Sequence, residues 1–241
     1  MALQFEIGDN IDKYTIVDIL GEGGTAIVYK VVHHLLHTEF ALKVSKHQYS
    51  QIYERLLREG RIQTKLKHPH IVSVIDILES KSYPALLMEY IEGVSLDNWL
   101  DKNKPTPELS ERLFLQIVNA TEYAHNQGVV HRDLKPSNIL IMEFNGQPFA
   151  KICDFGLAKE VQDSHQNLTR TGDLMGTPAY MAPEQIRNAK GIDHRADIFS
   201  LGVIYYEMIT HEMAFSGQDS LEILNAVAHR SIHLPQCIST I

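Results

Sequence analysis

The run from His131 to Asn138 reads His-Arg-Asp-Leu-Lys-Pro-Ser-Asn. It sets the carboxylate of Asp133 five residues before the amide of Asn138, with the ammonium group of Lys135 between them. Around a phosphate these groups have complementary uses. The carboxylate can accept a hydroxyl proton, the ammonium group can neutralise phosphate charge, and the amide oxygen is a hard ligand for magnesium. Asp154 heads the triplet Asp-Phe-Gly at 154–156, after a β-like stretch, and adds a second hard oxygen ligand. Any one of these could belong to a structural loop. All of them in this order point to phosphoryl transfer.

Two upstream features fit the same chemistry. Residues 21–28, Gly-Glu-Gly-Gly-Thr-Ala-Ile-Val, lie between two β-rich stretches. Glycines let such a strand–turn–strand flap approach phosphate oxygens with its backbone. Taken alone the feature is weak, because a glycine turn in a hairpin is commoner than a nucleotide flap. No Gly-Lys-Ser/Thr follows it, so it is not a Walker loop. Lys43 ends Phe-Ala-Leu-Lys, mid-strand among apolar residues, and a lysine there wants a buried anionic partner. Nucleotide phosphates would serve, and so would a carboxylate from the following helix, where Glu59 is best placed.

The elements that must position these residues come in two blocks. Strands are expected at Tyr14–Leu20, Ala26–His34, Phe40–Val44, Ile71–Leu78 and Ala85–Tyr90, with a helix at Tyr49–Leu66. Helical patterns then take over. A short helix capped by Ser95 runs through Leu100, and a longer one begins at Thr106–Pro107 with Leu113, Phe114, Ile117, Val118 and Ala124 as its apolar stripe. Gly128 follows its end. Ile139–Ile141 and Phe149–Ile152 flank the hairpin signal Asn145–Gly146. Ala196–Thr210 is apolar on most faces and reads as a core helix, with a further short one at Leu221–His229. A β-rich part joined to a helical part near Glu89–Gly93 implies a cleft between them.

These motifs together resemble the eukaryotic-like, Hanks-type protein kinases over roughly residues 14–230, and the wording is similar to bacterial serine/threonine members. The resemblance implies an α+β, two-lobed fold across residues 1–241, with a β-rich lobe at about 12–90, a hinge at about 89–93 and a mainly helical lobe from about 94. It implies ATP as phosphoryl donor, with Mg2+ or Mn2+. Gly21, Glu22, Gly23, Gly24 and Val28 would form the flap over the nucleotide. Lys43 would hold the α- and β-phosphates and pair with Glu59. Ala41 and Leu140 would contact the nucleotide, Met88 would guard the back of the adenine pocket, and the backbone of Glu89 and Ile91 would meet the adenine edge. Asp133 matches the catalytic base, and Asn138 and Asp154 match the metal ligands. Lys135, followed by proline, resembles the class acting on serine and threonine. Residues 176–184, Gly-Thr-Pro-Ala-Tyr-Met-Ala-Pro-Glu, are similar to the segment that docks the substrate peptide, with Thr177 beside the catalytic loop. Asp197 matches the core-helix aspartate that braces that loop. Arg132 precedes the base, and a phosphate on Thr169 or Thr171 could pair with it and order the segment after Asp154. A kinase dimer would then serve autophosphorylation in trans.

Three departures qualify this picture. Ala26 stands at the third glycine position of the flap. Gln63, four residues after Glu59, stands where an apolar residue is usual, and buried without partners it would cost about 1–3 kcal/mol unless Ile62 fills the gap. The family continues for several helices beyond the region ending at Ile241, so the fold is expected to lack its last helices. Among them is an arginine that pairs with the glutamate matched by Glu184, and an unpaired Glu184 is expected to destabilise the chain. An inactive scaffolding form is therefore the alternative to an active kinase. A small-molecule phosphotransferase of related fold fits less well, since it has no use for a peptide-docking segment.

Composition narrows the partners. The formal charge of −8 over 241 residues argues against nucleic acid or an anionic membrane as the main partner. Two cysteines, Cys153 and Cys237, fit a reducing compartment and make no disulfide framework. The N-terminus lacks the pattern of a signal peptide, and Ile198–Ile209, interrupted by Ser200 and Glu207, falls short of the about 18 apolar residues of a membrane span. A cytoplasmic domain without membrane contact is expected. His33, His34 and His37 cluster in a strand connection, without the spacing of a zinc site.

Overall fold

The computed structural model describes residues 5–24, 26–46, 60–80, 83–155, 178–187 and 191–229. The chain divides into two compact units, Met1–Glu92 and Gly93–Ile241. The first is built on an antiparallel sheet of β1 (Asn10–Ile11), β2 (Tyr14–Glu22), β3 (Ala26–His33), β4 (Glu39–Ser45), β5 (Val74–Ser80) and β6 (Tyr83–Glu89), in the order β1-β2-β3-β4-β6-β5. Alternation along each strand sorts side chains between two faces. Ile27, Tyr29 and Val31 of β3, Leu42 and Val44 of β4, and Ala85 and Leu87 of β6 fill one hydrophobic core with Tyr14, Ile16, Leu78 and Phe5. The ring of Tyr14 meets His33 and Phe40 edge-on, with centroids 5.2 and 5.7 Å away.

The histidine cluster serves the β3–β4 turn. Nδ1 of His33 accepts from the backbone N–H groups of Leu35 and Leu36 at 3.2 Å, and His34 is bonded to Asn10. Of the helix expected at 49–66, residues 47–59 lie outside the described residues. Residues 60–63 form a helical turn, and the helix ends there rather than at Leu66. A Cβ on Gly60 would sit 2.9 Å from the side chains of Ile77 and Leu86, so this turn packs directly on β5 and β6. Gln63 is buried, as its position suggested, but it is not without an interaction partner, and the expected cost of an orphaned amide does not arise.

The second unit pairs a small sheet with helices. β7 (Gly93–Ser95), β8 (Ile139–Phe144) and β9 (Gln147–Ile152) lie in that order, joined at the β8–β9 turn by Asn145 and Gly146, with φ of 51° and 71°. Both turn residues are left-handed, as a two-residue hairpin requires. The helices are α1 (Leu96–Lys102), α2 (Pro107–Asn126), α3 (Pro183–Arg187), α4 (Arg195–Thr210) and α5 (Ser220–His229). Ser95 is the N-cap of α1, but its hydroxyl accepts from the side chain of Asn98 at 2.8 Å instead of capping the backbone. Thr106 does cap α2, accepting from the N–H of Leu109 at 3.3 Å, with Pro107 at the first helical position. The buried stripe of α2 is Ser110, Leu113, Ile117, Ala120, Thr121 and Ala124. Leu113, Ile117 and Ala124 are buried as expected, while Phe114 and Val118 are half-buried, Phe114 stacking on Tyr205 of α4 at 4.4 Å. Ser110 also donates to the carbonyl of Met208 at 3.0 Å, so α2 and α4 are locked together.

Gly93 lies close against the paired strand, where an added Cβ would overlap the carbonyl of Ile141. Gly93→Ala should therefore lower stability by about 1–3 kcal/mol through forced backbone displacement. Urea denaturation should show a lower midpoint, whereas Gly128→Ala would report only the cost of left-handed backbone.

Candidate functional site

The loop from Val129 to Asn138 links α2 to β8, and its shape is imposed by one carboxylate. Asp197, in the first turn of α4, is fully buried. Its Oδ2 accepts from the backbone N–H of His131 at 2.8 Å and from His125 Nε2 of α2 at 2.7 Å, and its Oδ1 accepts from the N–H of Arg132 at 2.7 Å. Burial pushes this carboxyl up, but the His125 hydrogen bond and the two backbone donors act against it. The net effect holds the group below the ordinary aspartate range. Arg132 is thereby kept at φ 63°, a left-handed conformation unusual for a side chain other than glycine, asparagine or aspartate.

Inside this frame His131 is buried, and its ring fixes two further groups. Nδ1 accepts from the N–H of Asp133 at 3.3 Å, which leaves Nε2–H to donate to the carbonyl of Cys153 at 3.0 Å. The ring also lies against Phe155, with centroids 4.7 Å apart. Asn138 donates from Nδ2 to the carbonyl of Asp133 at 2.8 Å and to its Oδ2 at 3.3 Å. The amide is thus turned so that its oxygen is the group left to ligate a cation. Lys135 Nζ stands 3.2 Å from Asp133 Oδ2, and the Asp133 side chain is 39% exposed, so substrate can reach it. The β8–β9 hairpin carries Asp154 to the same place, since the N–H of Cys153 bonds the carbonyl of Asn138 at 2.9 Å and Asp154 turns at φ 63°. An amide oxygen and a carboxylate flanking the two ends of one hairpin are a donor set suited to magnesium.

A second segment meets this loop. Residues 178–187 form a 3-10 turn, Pro178–Tyr180, and α3. Ser200 of α4 donates to the carbonyl of Tyr180 at 2.8 Å, and the Tyr180 hydroxyl donates to Glu207 at 2.5 Å. Burial, then the neighbouring Glu207, pushes the Tyr180 hydroxyl well above its ordinary range; burial likewise raises Glu207, helped by Asp97 and Asp101 of α1. Gln185 donates to the carbonyl of Arg132 at 2.8 Å and accepts from the N–H of Ala182 at 2.9 Å. Between the two segments lies a recess lined by Asp133, Leu134 and Lys135 on one side and Tyr180, Met181 and Gln185 on the other. Glu184, expected to be destabilising when unpaired, is exposed, so no buried charge is left to compensate.

In the first unit, direct cross-strand pairs place the remaining residues. Gly21 opposes Val28, Val28 opposes Lys43, and Ala41 opposes Met88. Directly opposed residues share a face, so Val28, Ala41, Lys43 and Met88 lie on the sheet face away from the core cluster. Lys43 is only 5% exposed and is not without a partner. Glu22 pairs with Lys46 at 2.6 Å, beside Gly23 and Gly24, and the side chain of Glu89 accepts from the N–H of Ser73 at 2.7 Å. Ile91 is buried; Leu140, in the second unit, is half-buried on β8. Glu59, Thr169, Thr171 and Thr177 lie outside the described residues.

The sequence profile of the protein kinase domain matches residues 14–240. This chain belongs to the protein kinase domain family. Among curated relatives of this kinase domain, serine/threonine-protein kinase Pkn1 of Myxococcus xanthus is 36% identical over 88% of the chain and 31% of the relative. Serine/threonine-protein kinase PknB of Mycobacterium tuberculosis is 34% identical over 88% of the chain and 34% of the relative. Serine/threonine-protein kinase PrkC of Bacillus subtilis is 33% identical over 95% of the chain and 35% of the relative. The chain spans about a third of the length of the curated relatives it matches. Among the described residues, no helix is long and apolar enough to cross a membrane.

Reading the kinase motifs missed His125, the Tyr180–Glu207 pair and Gln185. Only Gln185 carried a signal, a proline at the first position of a helix with glutamine two residues later. The depressed Asp197 fixes a pH dependence. A carboxylate with a lowered folded-state pKa adds stability above its unfolded pKa and loses it as pH falls through the folded value. Asp197→Asn should cost at least about 1.5 kcal/mol at neutral pH, the low end for a hydrogen bond to a charged group. The deficit relative to wild type should shrink below pH ~4, as urea titrations at several pH values would show.

Proposed function

We propose that this domain transfers the γ-phosphoryl group of ATP to serine and threonine hydroxyls of proteins. The observation that carries the reading is the presentation of Asp133. Its carboxylate is accessible, stands 3.2 Å from Lys135, and rests on a loop gripped by Asp197. Family membership and the three serine/threonine-protein kinases supply the reaction class.

In this reading the substrate hydroxyl gives its proton to Asp133 as its oxygen bonds the γ-phosphorus. The bond to the β,γ-bridging oxygen breaks and ADP leaves. Lys135 offsets charge on the moving phosphoryl group, and Lys43 holds the α- and β-phosphates. Asn138, through the oxygen its hydrogen bonds leave outward, and Asp154 would hold Mg2+ or Mn2+, which supplies electrostatic stabilisation of the phosphates. Positioning and charge neutralisation supply most of the rate. The surface beside Tyr180 and Met181 would meet the protein substrate. Val28, Ala41 and Met88, sharing one sheet face, would bind the adenine side of the nucleotide. We place the domain in the cytoplasm, where ATP is abundant, and infer that a kinase dimer autophosphorylates Thr169 and Thr171.

Incubation with labelled ATP, magnesium and a generic protein substrate should give phosphoserine and phosphothreonine. Asp133→Asn should lower the rate by about 10²–10⁴-fold, the usual contribution of a general base, with ATP affinity retained. An Asp133→Asn protein as active as wild type would refute the assignment of the base. Lys43→Met should also be inactive, through misplaced phosphates. Mass spectrometry after autophosphorylation should find phosphate on Thr169 or Thr171; its absence from both overturns their regulatory role.

A further inference from the structure

The peptide bond leading into Asp133 is pinned at both polar ends. Its N–H donates to His131 Nδ1, and its carbonyl, that of Arg132, accepts from Gln185 Nε2 at 2.8 Å. The first pin comes from within the loop. The second comes from α3, more than fifty residues later in the chain, in the segment that borders the substrate recess.

The side chain of Gln185 has its direction set by the start of its own helix. Pro183 is the first residue of α3, Ala182 precedes it, and Gln185 Oε1 accepts from the N–H of Ala182 at 2.9 Å. This is the return half of a capping box, in which the third helical residue reaches back to the N-cap amide. With the oxygen committed there, the NH2 group faces the opposite way, onto the carbonyl of Arg132. Arg132 needs such a hold, because its left-handed φ of 63° is a conformation that surrounding structure must over-determine. Asp197 holds its N–H side at 2.7 Å and Gln185 its carbonyl side.

We infer that Gln185 is a positioning residue for the catalytic base, coupling the folded 178–187 segment to the orientation of Asp133. The inference rests on the kinase reading above and adds a dependence to it. When α3 begins at Pro183, the same glutamine that caps it fixes the Arg132–Asp133 peptide. When that helix start is disturbed, the peptide loses one of its two pins and the carboxylate its fixed aim. Peptide-segment order and catalytic competence are thus linked through one amide side chain.

Two substitutions in the 241-residue chain separate the bonds. Gln185→Met removes both. Gln185→Glu keeps the acceptor for Ala182 N–H and removes the donor to Arg132. Hydrogen–deuterium exchange of the amides at 131–134, kcat and KM for ATP, and the thermal midpoint should be measured for each. Both variants should show faster exchange at 131–134 and a kcat lower by roughly three- to tenfold, the range expected for one lost hydrogen bond, with KM for ATP unchanged. Gln185→Glu should keep more of the thermal midpoint than Gln185→Met. Wild-type exchange and kcat in Gln185→Glu, or a fall in thermal midpoint alone in both variants, would overturn the inference. Exchange reads the loop without turnover, and Asp133→Asn assayed beside these variants tells failure of the base assignment from failure of the coupling.

Discussion

Asp197 brings a carboxylate into the interior of the second unit, where its charge is tolerable only because hydrogen bonds replace water. Two of those bonds are backbone N–H groups of consecutive residues, His131 and Arg132, and the third is the ring of His125. A carboxylate so bonded fixes its partners as firmly as they fix it. The consecutive donors force the chain through the left-handed turn at Arg132, and that turn faces Asp133 toward the recess. Because α4 is locked to α2 through Ser110 and the Phe114–Tyr205 stack, the anchor does not move independently of the loop's other end. A single buried charge therefore sets the geometry of a loop some sixty residues away in sequence.

Around that anchor, each further group is held by a neighbour that is itself held. His131 accepts from Asp133 and donates to Cys153, which ties the loop to the hairpin carrying Asp154. Asn138 spends its amide hydrogens on Asp133, which orients its oxygen. In the first unit the ordering device is different and simpler. Unbroken pairing of β3, β4 and β6 turns one face of these strands to the core and leaves Val28, Ala41, Lys43 and Met88 together on the other. A one-residue slip of β4 would exchange Lys43 for Leu42 or Val44, so the core residues fix the register of the residues proposed to face the nucleotide.

Much of this was legible in the residues because the signals are local. The long strands and helices show their periods, Thr106–Pro107 marks a helix start, and Asn145–Gly146 marks a hairpin. Asp133, Asn138 and Asp154 stand out because their chemistry and spacing make sense together around a phosphate. β1 and β7 escaped because two or three residues carry no period. The buried stripe of α2 keeps Leu113, Ile117 and Ala124 and adds Ser110, Ala120 and Thr121, small or polar residues whose burial depends on what packs against the helix. Gln63 and Glu184 look like liabilities in the sequence, which gives residue type without environment. One is buried but partnered, and the other is exposed. His125, Glu207 and the reach of Gln185 depend on contacts between distant segments, which appear only once the helices are packed.

In the proposed reaction, the grip of Asp197 on the loop backbone makes Asp133 an effective base. The most direct test compares kcat and nucleotide affinity of wild type and Asp197→Asn, at a temperature where both are folded. Asp197→Asn should show a kcat lower by at least about tenfold, equivalent to one lost charge-assisted hydrogen bond, with ATP affinity unchanged. A folded Asp197→Asn protein that turns over at the wild-type rate would contradict it.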